Sequence, residues 1–387
     1  MKSLVTISRI LVGLLFIFSG LVKANDPHGL SYKMQEFFEL WHMTQFNSWT
    51  LAMSVLMNAF EIIAGFALLI GWRIRIFSWL LLLLIVFFTF LTGYTYITGK
   101  PTNCGCFGDC LPISSKTSFL KDVVLTILIG LIFWQRRYVK PILSTRASWI
   151  AMLLVTLFSF GLQWYALRYL PIVDCLPFKK GNSIPGKMQI PPGSVPDSFA
   201  IRFIYKKDGK EFEFAPADLP ADLDNYEYIS RTDKLVRKGN AEPPIKGFVL
   251  TGVSGEDSTD IILSQPYTVL VFCENFDVPF SKWKKVLAEL RDITGKKHIP
   301  LYAVTSQRDK AIELFAVAGM QDIPVFVTDY TAIRTAARTN PTIYLLKEGT
   351  VVSKESAPYA QKIISQLEDI PAQQPITSPA TDTLSQK

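Results

Sequence analysis

The 387-residue chain has no GxxxxGK[ST] phosphate loop and no basic–aromatic interleaving of the RNA-binding kind. Nucleotide-loop and nucleic-acid chemistry are therefore not expected, and the formal net charge of +7 needs another source. Many of its Lys and Arg flank apolar segments, the pattern of membrane-flanking charge. Charge is nearly missing from five long apolar runs, all within the first 172 residues. Cysteine is scarce, with five in the chain, and no C-x-x-C dithiol motif occurs. The C-x-C-xxx-C run at Cys104, Cys106 and Cys110 is a poor match to the C-x(2–4)-C pairs of zinc sites, so no metal ligand set is assigned.

What is present starts with those runs. They cover about residues 3–22, 50–72, 76–97, 118–135 and 147–167. A helix rises about 1.5 Å per residue, so roughly 20 residues cross the bilayer core. The second, third and fifth runs meet that length readily, and the first and fourth need their flanks. The first run has a short apolar core ending in small residues, which a cleaved signal peptide would share; with more spans following, a signal anchor is the simpler reading.

Loop charge sets the orientation. The links after the second and fourth runs hold Arg73, Arg75, Arg136, Arg137, Lys140 and Arg146 without an acid, and the other two loops are mixed. Excess Lys and Arg mark the cytoplasmic side. Five spans then place the N-terminus inside and everything after the fifth span outside. In a bacterium that is the inner membrane, with Cys104, Cys106, Cys110 and Cys175 all in the oxidising periplasm.

The chemistry of these cysteines has three readings. A metal site is the weakest, because an exported thiolate set competes with oxidation. A structural disulfide from the loop to Cys175 would tie the exit of the fifth span to the turn between the third and fourth. A redox centre uses Gly105 and Gly108 to let neighbouring sulfurs approach a third, and thiol–disulfide exchange needs that crowding. Asp109 beside Cys110 would raise that thiol's pKa, so Cys104 and Cys106 are the better exchanging pair. Two intramembrane polar residues stand out: Glu61, midway along the second span, and Arg9 in the first. Arg9 and Lys23 are its candidate ion-pair partners; a buried carboxylate in a membrane is a functional candidate by default. Residues 24–49 interleave Phe37, Phe38, Leu40, Trp41, Met43 and Phe46 with polar residues and read either as an amphipathic helix lying on the membrane surface or over the bundle, or as a plain helical link.

Beyond the fifth span the expected organisation is a Pro/Gly-rich linker over 173–198, an α/β domain over 199–370 and a polar, disordered tail over 371–387. A hairpin turns near Lys207–Gly209, and "GFVLTGVSG" is a further strand candidate. From Tyr267 the pattern alternates: "TVLVFC" strand, "PFSKWKKVLAELRDIT" helix, "IPLYAVTS" strand, "RDKAIELFAVAG" helix, "IPVFVTD" strand, "NPTIYLLKEGTVV" two strands about a turn, "APYAQKIISQLEDI" helix. The fold class is thus a membrane helical bundle of five spans followed by a soluble α/β domain.

Two resemblances attach to these residues. "RILVGLLFIFSGLVKANDPHGLSYKMQEFF", "NAFEIIAGFALLIGWRIR" and "CGCFG" resemble DoxX-like membrane proteins of the methylamine-utilisation MauE type, over roughly residues 1–140. That resemblance implies a periplasm-facing bundle connected with disulfide handling. Its members are thought to help cysteine-rich exported proteins mature, and DoxX-like relatives are associated with quinone-linked thiol or thiosulfate oxidation. A quinone is therefore the cofactor it implies. The fifth span, Cys175 and the long C-terminal region depart from the family. Residues 245–370 resemble thioredoxin-like domains through "NPT", an apolar strand, "KEG" and "VV", with Pro341 at the cis-proline position. The family's C-x-x-C would fall on Asp277, Val278, Pro279 and Phe280, where no cysteine stands; Cys273 reads as a small core residue.

The function these readings imply is an inner-membrane thiol–disulfide redox protein. Cys104, Cys106, Cys110 and Cys175 carry the chemistry, and the partners are the lipid bilayer and an exported thiol-containing protein or small thiol. The rival is a non-catalytic envelope scaffold whose disulfides are structural.

Overall fold

The computed structural model describes residues 2–101, 108, 110–111, 113–237, 239 and 241–374. Cys104, Cys106, Asp109 and the tail from residue 375 lie outside the described residues.

Among the described residues, five helices are long and apolar enough to cross a membrane. They are α1 (Lys2–Asn25), α3 (Thr50–Ile70), α4 (Ile74–Thr98), α5 (Ser115–Trp134) and α6 (Thr145–Tyr169). Helix α2 (Pro27–Leu40) lies between the first two, capped by the Asp26 side chain, which accepts from the Gly29 N–H at 3.2 Å. Helix α3 is central: 56% of its span is buried, against 17% of α4. Small residues allow this. A Cβ on Gly65 would lie 2.8 Å from the Gly13 carbonyl, so α1 and α3 meet backbone to backbone. Val12, Phe16, Ala64 and Leu68 pack there with Leu81 and Ile85 of α4 and Leu125 and Ile129 of α5, while Leu83, Phe90 and Leu153 face outward where lipid would lie.

The region after α6 begins with α7 (Ile184–Met188). The stretch expected as an extended linker is partly packed. Phe178 and Ile184 are fully buried against Phe248 and Leu270, and Gly181 and Ile184 donate to Val351 and Gly349 at 2.8 and 2.9 Å. Apolar residues spaced among prolines and glycines lay this segment along a sheet edge.

Next comes a three-stranded antiparallel sheet, β1 (Ser198–Lys207), β2 (Lys210–Phe214) and β3 (Glu227–Arg237), in the order β2-β1-β3. The expected hairpin is there, with Lys207 opposite Lys210. The segment at 247–255 makes only isolated bridges at Thr251 and is not a strand. Then follow α8 (Thr259–Leu263), β4 (Thr268–Cys273), α9 (Lys284–Lys297), β5 (Leu301–Thr305), α10 (Arg308–Ala318), β6 (Val325–Val327), α11 (Tyr330–Ala336), β7 (Thr342–Lys347), β8 (Thr350–Ser356) and α12 (Gln361–Asp369). The sheet order is β6-β5-β4-β7-β8, with β4, β5 and β6 parallel and β7 antiparallel to β4. The run "TVLVFC" is apolar throughout because β4 is covered on both faces. Leu287, Leu290, Phe315 and Ile363 pack on one face, and Phe248, Ile333 and Ile184 on the other. This is the soluble α/β region that follows the membrane bundle.

Candidate functional site

Two polar centres stand at the end of the bundle that meets the sheet region. The first is inside the membrane helices. Glu61 pairs with Lys23, both almost fully buried, and Ser19 donates to the same carboxylate at 3.0 Å. Of the two cations the sequence offers, Lys23 is the partner. Arg9 lies fourteen positions earlier on α1, about 20 Å away along the axis. The Lys23 ammonium also sits over the Phe88 ring at 5.1 Å. The Asn58 amide donates to the Lys23 carbonyl and to Gln163 Oε1, each at 3.2 Å, joining α1, α3 and α6.

A cavity of about 110 Å³ adjoins this pair. Phe16, Phe37 and Phe88 form apolar walls, and Lys23, Lys33, Glu61, Lys121 and Asp122 supply ionisable groups. Asp122 accepts from Thr92 at 3.1 Å and pairs with Lys121 at 2.8 Å. Helix α2 closes one side through Leu30, Met34 and Phe37.

The second centre is the junction between α2 and the sheet region. The Tyr32 hydroxyl donates to Glu274 Oε2 at 2.8 Å, and Arg334 Nε donates to Glu274 Oε1 at 3.0 Å. Arg334 also donates to Gln35 Oε1 at 2.6 Å, and Arg338 Nε donates to Asp26 Oδ2 at 2.8 Å. Both guanidinium groups lie over the Tyr32 ring, at 4.4 and 5.2 Å. His28 stacks on Tyr32 at 5.6 Å. Burial pushes the His28 pKa below its ordinary value, and burial together with Glu274 pushes the Tyr32 hydroxyl well up. Asn340 accepts from the Glu274 N–H at 2.8 Å and is followed by a cis bond to Pro341.

Cys110 is disulfide-bonded to Cys175, with Cα atoms 4.9 Å apart. The segment carrying Cys175 is held from two sides. Asn25, at the end of α1, donates to the Val173 carbonyl at 2.8 Å, and Lys354 pairs with Asp174 at 2.7 Å. Cys273 is buried at the end of β4, and burial raises its thiol pKa strongly, so it is a core residue in this fold. Among the described residues no cluster of three metal-ligating side chains is present.

The structure thus brings Cys110 and Cys175 together and places Glu61 against Lys23, with Arg9 at the far end of the bundle. Sequence reasoning passed over Glu274, Arg334 and Arg338. The available signal was a pair of arginines four positions apart; Arg334 lies on α11, and Arg338 follows the extended residue Ala337 that ends it.

Residues 1–135 match the family described as Methylamine utilisation protein MauE. The match supports a MauE-type membrane protein. It ends before the fifth span and spans the Lys23–Glu61 pair, the cavity and Cys110. Residues 199–238, which contain β1 to β3, match a Domain of unknown function (DUF8463). No curated protein and no solved structure matches the chain.

Proposed function

We propose that the protein is a thiol–disulfide redox protein of the bacterial inner membrane that acts on exported thiols. The observation that carries this reading is the apolar-walled cavity beside the buried Lys23–Glu61 pair, at the same end of the bundle as the Cys110–Cys175 disulfide. Cys104 and Cys106 act as the exchanging pair, and Cys110–Cys175 fastens their loop to the exit of α6. An exported dithiol attacks the Cys104–Cys106 disulfide and leaves oxidised, passing two electrons to the pair, which becomes two thiols. Reoxidation of the pair needs a two-electron, two-proton acceptor. A quinone supplies that chemistry when bound, and the residues of the cavity fit one. Phe16, Phe37 and Phe88 offer apolar walls, Lys23 a hydrogen-bond donor, and the Glu61 and Asp122 carboxylates hydrogen-bond acceptors. The loops Arg73–Arg75 and Arg136–Arg146 lie at the opposite end, which favours a periplasmic cysteine loop and soluble domain.

The sheet order, with β4–β6 parallel and β7–β8 closing antiparallel, favours a thioredoxin-like relation for the soluble domain. It lacks the dithiol, and the end of β4 is taken up by α2 of its own chain through Glu274. In this reading it positions α2 and the cysteine loop and does not itself exchange electrons.

A scaffold reading is favoured by one observation, the same Cys110–Cys175 bond, which would suit a purely structural staple. Turnover separates the two. The purified protein in proteoliposomes is given an exported-type dithiol peptide and a short-chain quinone, and quinone loss above the protein-free rate is followed. Turnover that disappears in Cys104→Ser and Cys106→Ser supports the redox reading. No turnover in the native chain leaves the scaffold.

A further inference from the structure

The end of the bundle away from the soluble domain is rich in cations and poor in acids. Links 71–75 and 135–146 hold Arg73, Arg75, Arg136, Arg137, Lys140 and Arg146 and no carboxylate. A pocket of about 450 Å³ opens there, lined by Thr6 and Arg9 of α1 and by Arg137, Tyr138 and Lys140 of the second link. No acid lines it.

Arg9 is the informative residue. It is only 8% exposed, it lies inside a membrane-crossing helix, and its Nε has no hydrogen-bond partner among the described residues. One terminal nitrogen reaches the Lys140 carbonyl at 3.5 Å, a long contact. A guanidinium carries five donors and a permanent charge, and burying it without a counter-charge in a membrane is costly. Orientation by loop charge accounts for exposed cations between spans. It does not account for a buried one within α1. Arg136 is engaged elsewhere, over the Phe133 ring at 4.4 Å.

The pocket wall is fixed in place. The Ile142 N–H donates to the Ile70 carbonyl at 2.9 Å, pinning the link to the end of α3. Gly71 turns the chain there with φ +72°, and a Cβ on it would lie 2.8 Å from the Lys140 carbonyl and 3.3 Å from the Arg9 guanidinium. Around the mouth, Leu4, Trp134 and Ile142 are exposed apolar side chains, as expected where a protein surface meets lipid.

We propose that this pocket binds the phosphate of an anionic phospholipid headgroup. Arg9 contacts the phosphate from within the bundle, and Arg137 and Lys140 close on it from the link. Guanidinium donors match phosphate oxygens in pairs, and basic pockets between membrane helices suit acidic lipid heads. The site is independent of the cysteine chemistry, so either assignment can fail without the other.

Full-length protein in a non-ionic detergent is mixed with phosphatidylglycerol, with phosphatidylcholine, or with phosphatidylglycerol plus millimolar inorganic phosphate. Native mass spectrometry reads the lipid retained per chain. One phosphatidylglycerol should be held in preference to phosphatidylcholine and should survive inorganic phosphate. The Arg137→Gln/Lys140→Gln variant should bind it about tenfold or more weakly. Equal retention of the two lipids, displacement by inorganic phosphate, or unchanged affinity in a folded double variant would overturn the proposal. The lipid competition uses the native chain and decides the matter even where a variant does not fold.

Discussion

The Tyr32 hydroxyl on helix α2 donates to Glu274, just past the end of β4, across 2.8 Å and 242 positions of sequence. Helix α2 therefore faces two ways. Leu30, Met34 and Phe37 wall the membrane cavity, while Tyr32, Gln35 and the capping Asp26 hold Glu274, Arg334 and Arg338. Seating of the soluble region and closure of the cavity share one element.

Removing the shared acceptor should loosen that element. In Glu274→Ala, Tyr32 and Arg334 each lose a buried partner, which costs roughly 1–3 kcal/mol. Hydrogen exchange over residues 27–40 should rise about tenfold or more while β4 to β8 stay protected. Unchanged exchange in α2 would show that the junction does not hold it.

The Lys23–Glu61 pair should show strong non-additivity. Removing one member leaves a buried charge alone, at a cost of roughly 3–5 kcal/mol, while replacing both with apolar side chains is often near neutral. Glu61→Leu alone should lower the thermal midpoint sharply, and Lys23→Met/Glu61→Leu should recover most of it. If the pair serves proton-coupled chemistry, the stable double variant remains without turnover. A double variant with native turnover would make the pair purely structural.

His28 gives the junction a pH dependence of known sign. Its folded pKa lies below the ordinary value of 6.5, chiefly through burial; the Arg338 and Arg334 charges lower it further, and Asp26 and Glu274 oppose them. The neutral ring is favoured in the folded state. Its contribution is thus fully present above about pH 6.5 and is lost as pH falls through the lower folded value. The difference in thermal midpoint between native protein and His28→Phe should shrink or reverse between pH 7.5 and 5.5. A constant difference would remove His28 as the titrating group.

The Cys110–Cys175 bond closes a loop of 65 positions. The chain-entropy relation gives an upper value of about 4 kcal/mol for such a closure. Cys175→Ser should lower stability by up to that amount and free the 170–176 segment to proteolysis. If Cys110–Cys175 is a staple, this variant keeps some turnover in which Cys104→Ser has none.

Much of the fold was legible because apolar runs of about 20 residues and alternating strand–helix patterns each have few structural outcomes. The five membrane helices, the 207–210 hairpin and the sequence from β4 through β8 follow from those patterns. Strand β3 was missed because its apolar residues are interrupted by Arg231, Asp233 and Lys234, which suits a sheet exposed on both faces. Helix α11 was missed because seven residues are too few for periodicity to register. The packed course of 176–188 was hidden by its prolines and glycines, which read as a free linker until Phe178 and Ile184 are seen in the core. At the site, Glu61 was conspicuous as a lone charge in an apolar run, and Lys23 could not be chosen over Arg9 without helix positions. The junction was illegible because its members come from segments more than 200 residues apart.

The central claim, that Cys104 and Cys106 cycle, is tested most directly by their redox state in the living cell. Acid trapping followed by thiol-shift labelling, before and after a brief pulse of reductant, reads each cysteine. The account predicts that Cys104 and Cys106 appear partly reduced and reoxidise within minutes, while Cys110 and Cys175 stay joined throughout. All four remaining fully oxidised through the pulse would contradict it and leave a protein held together by fixed disulfides.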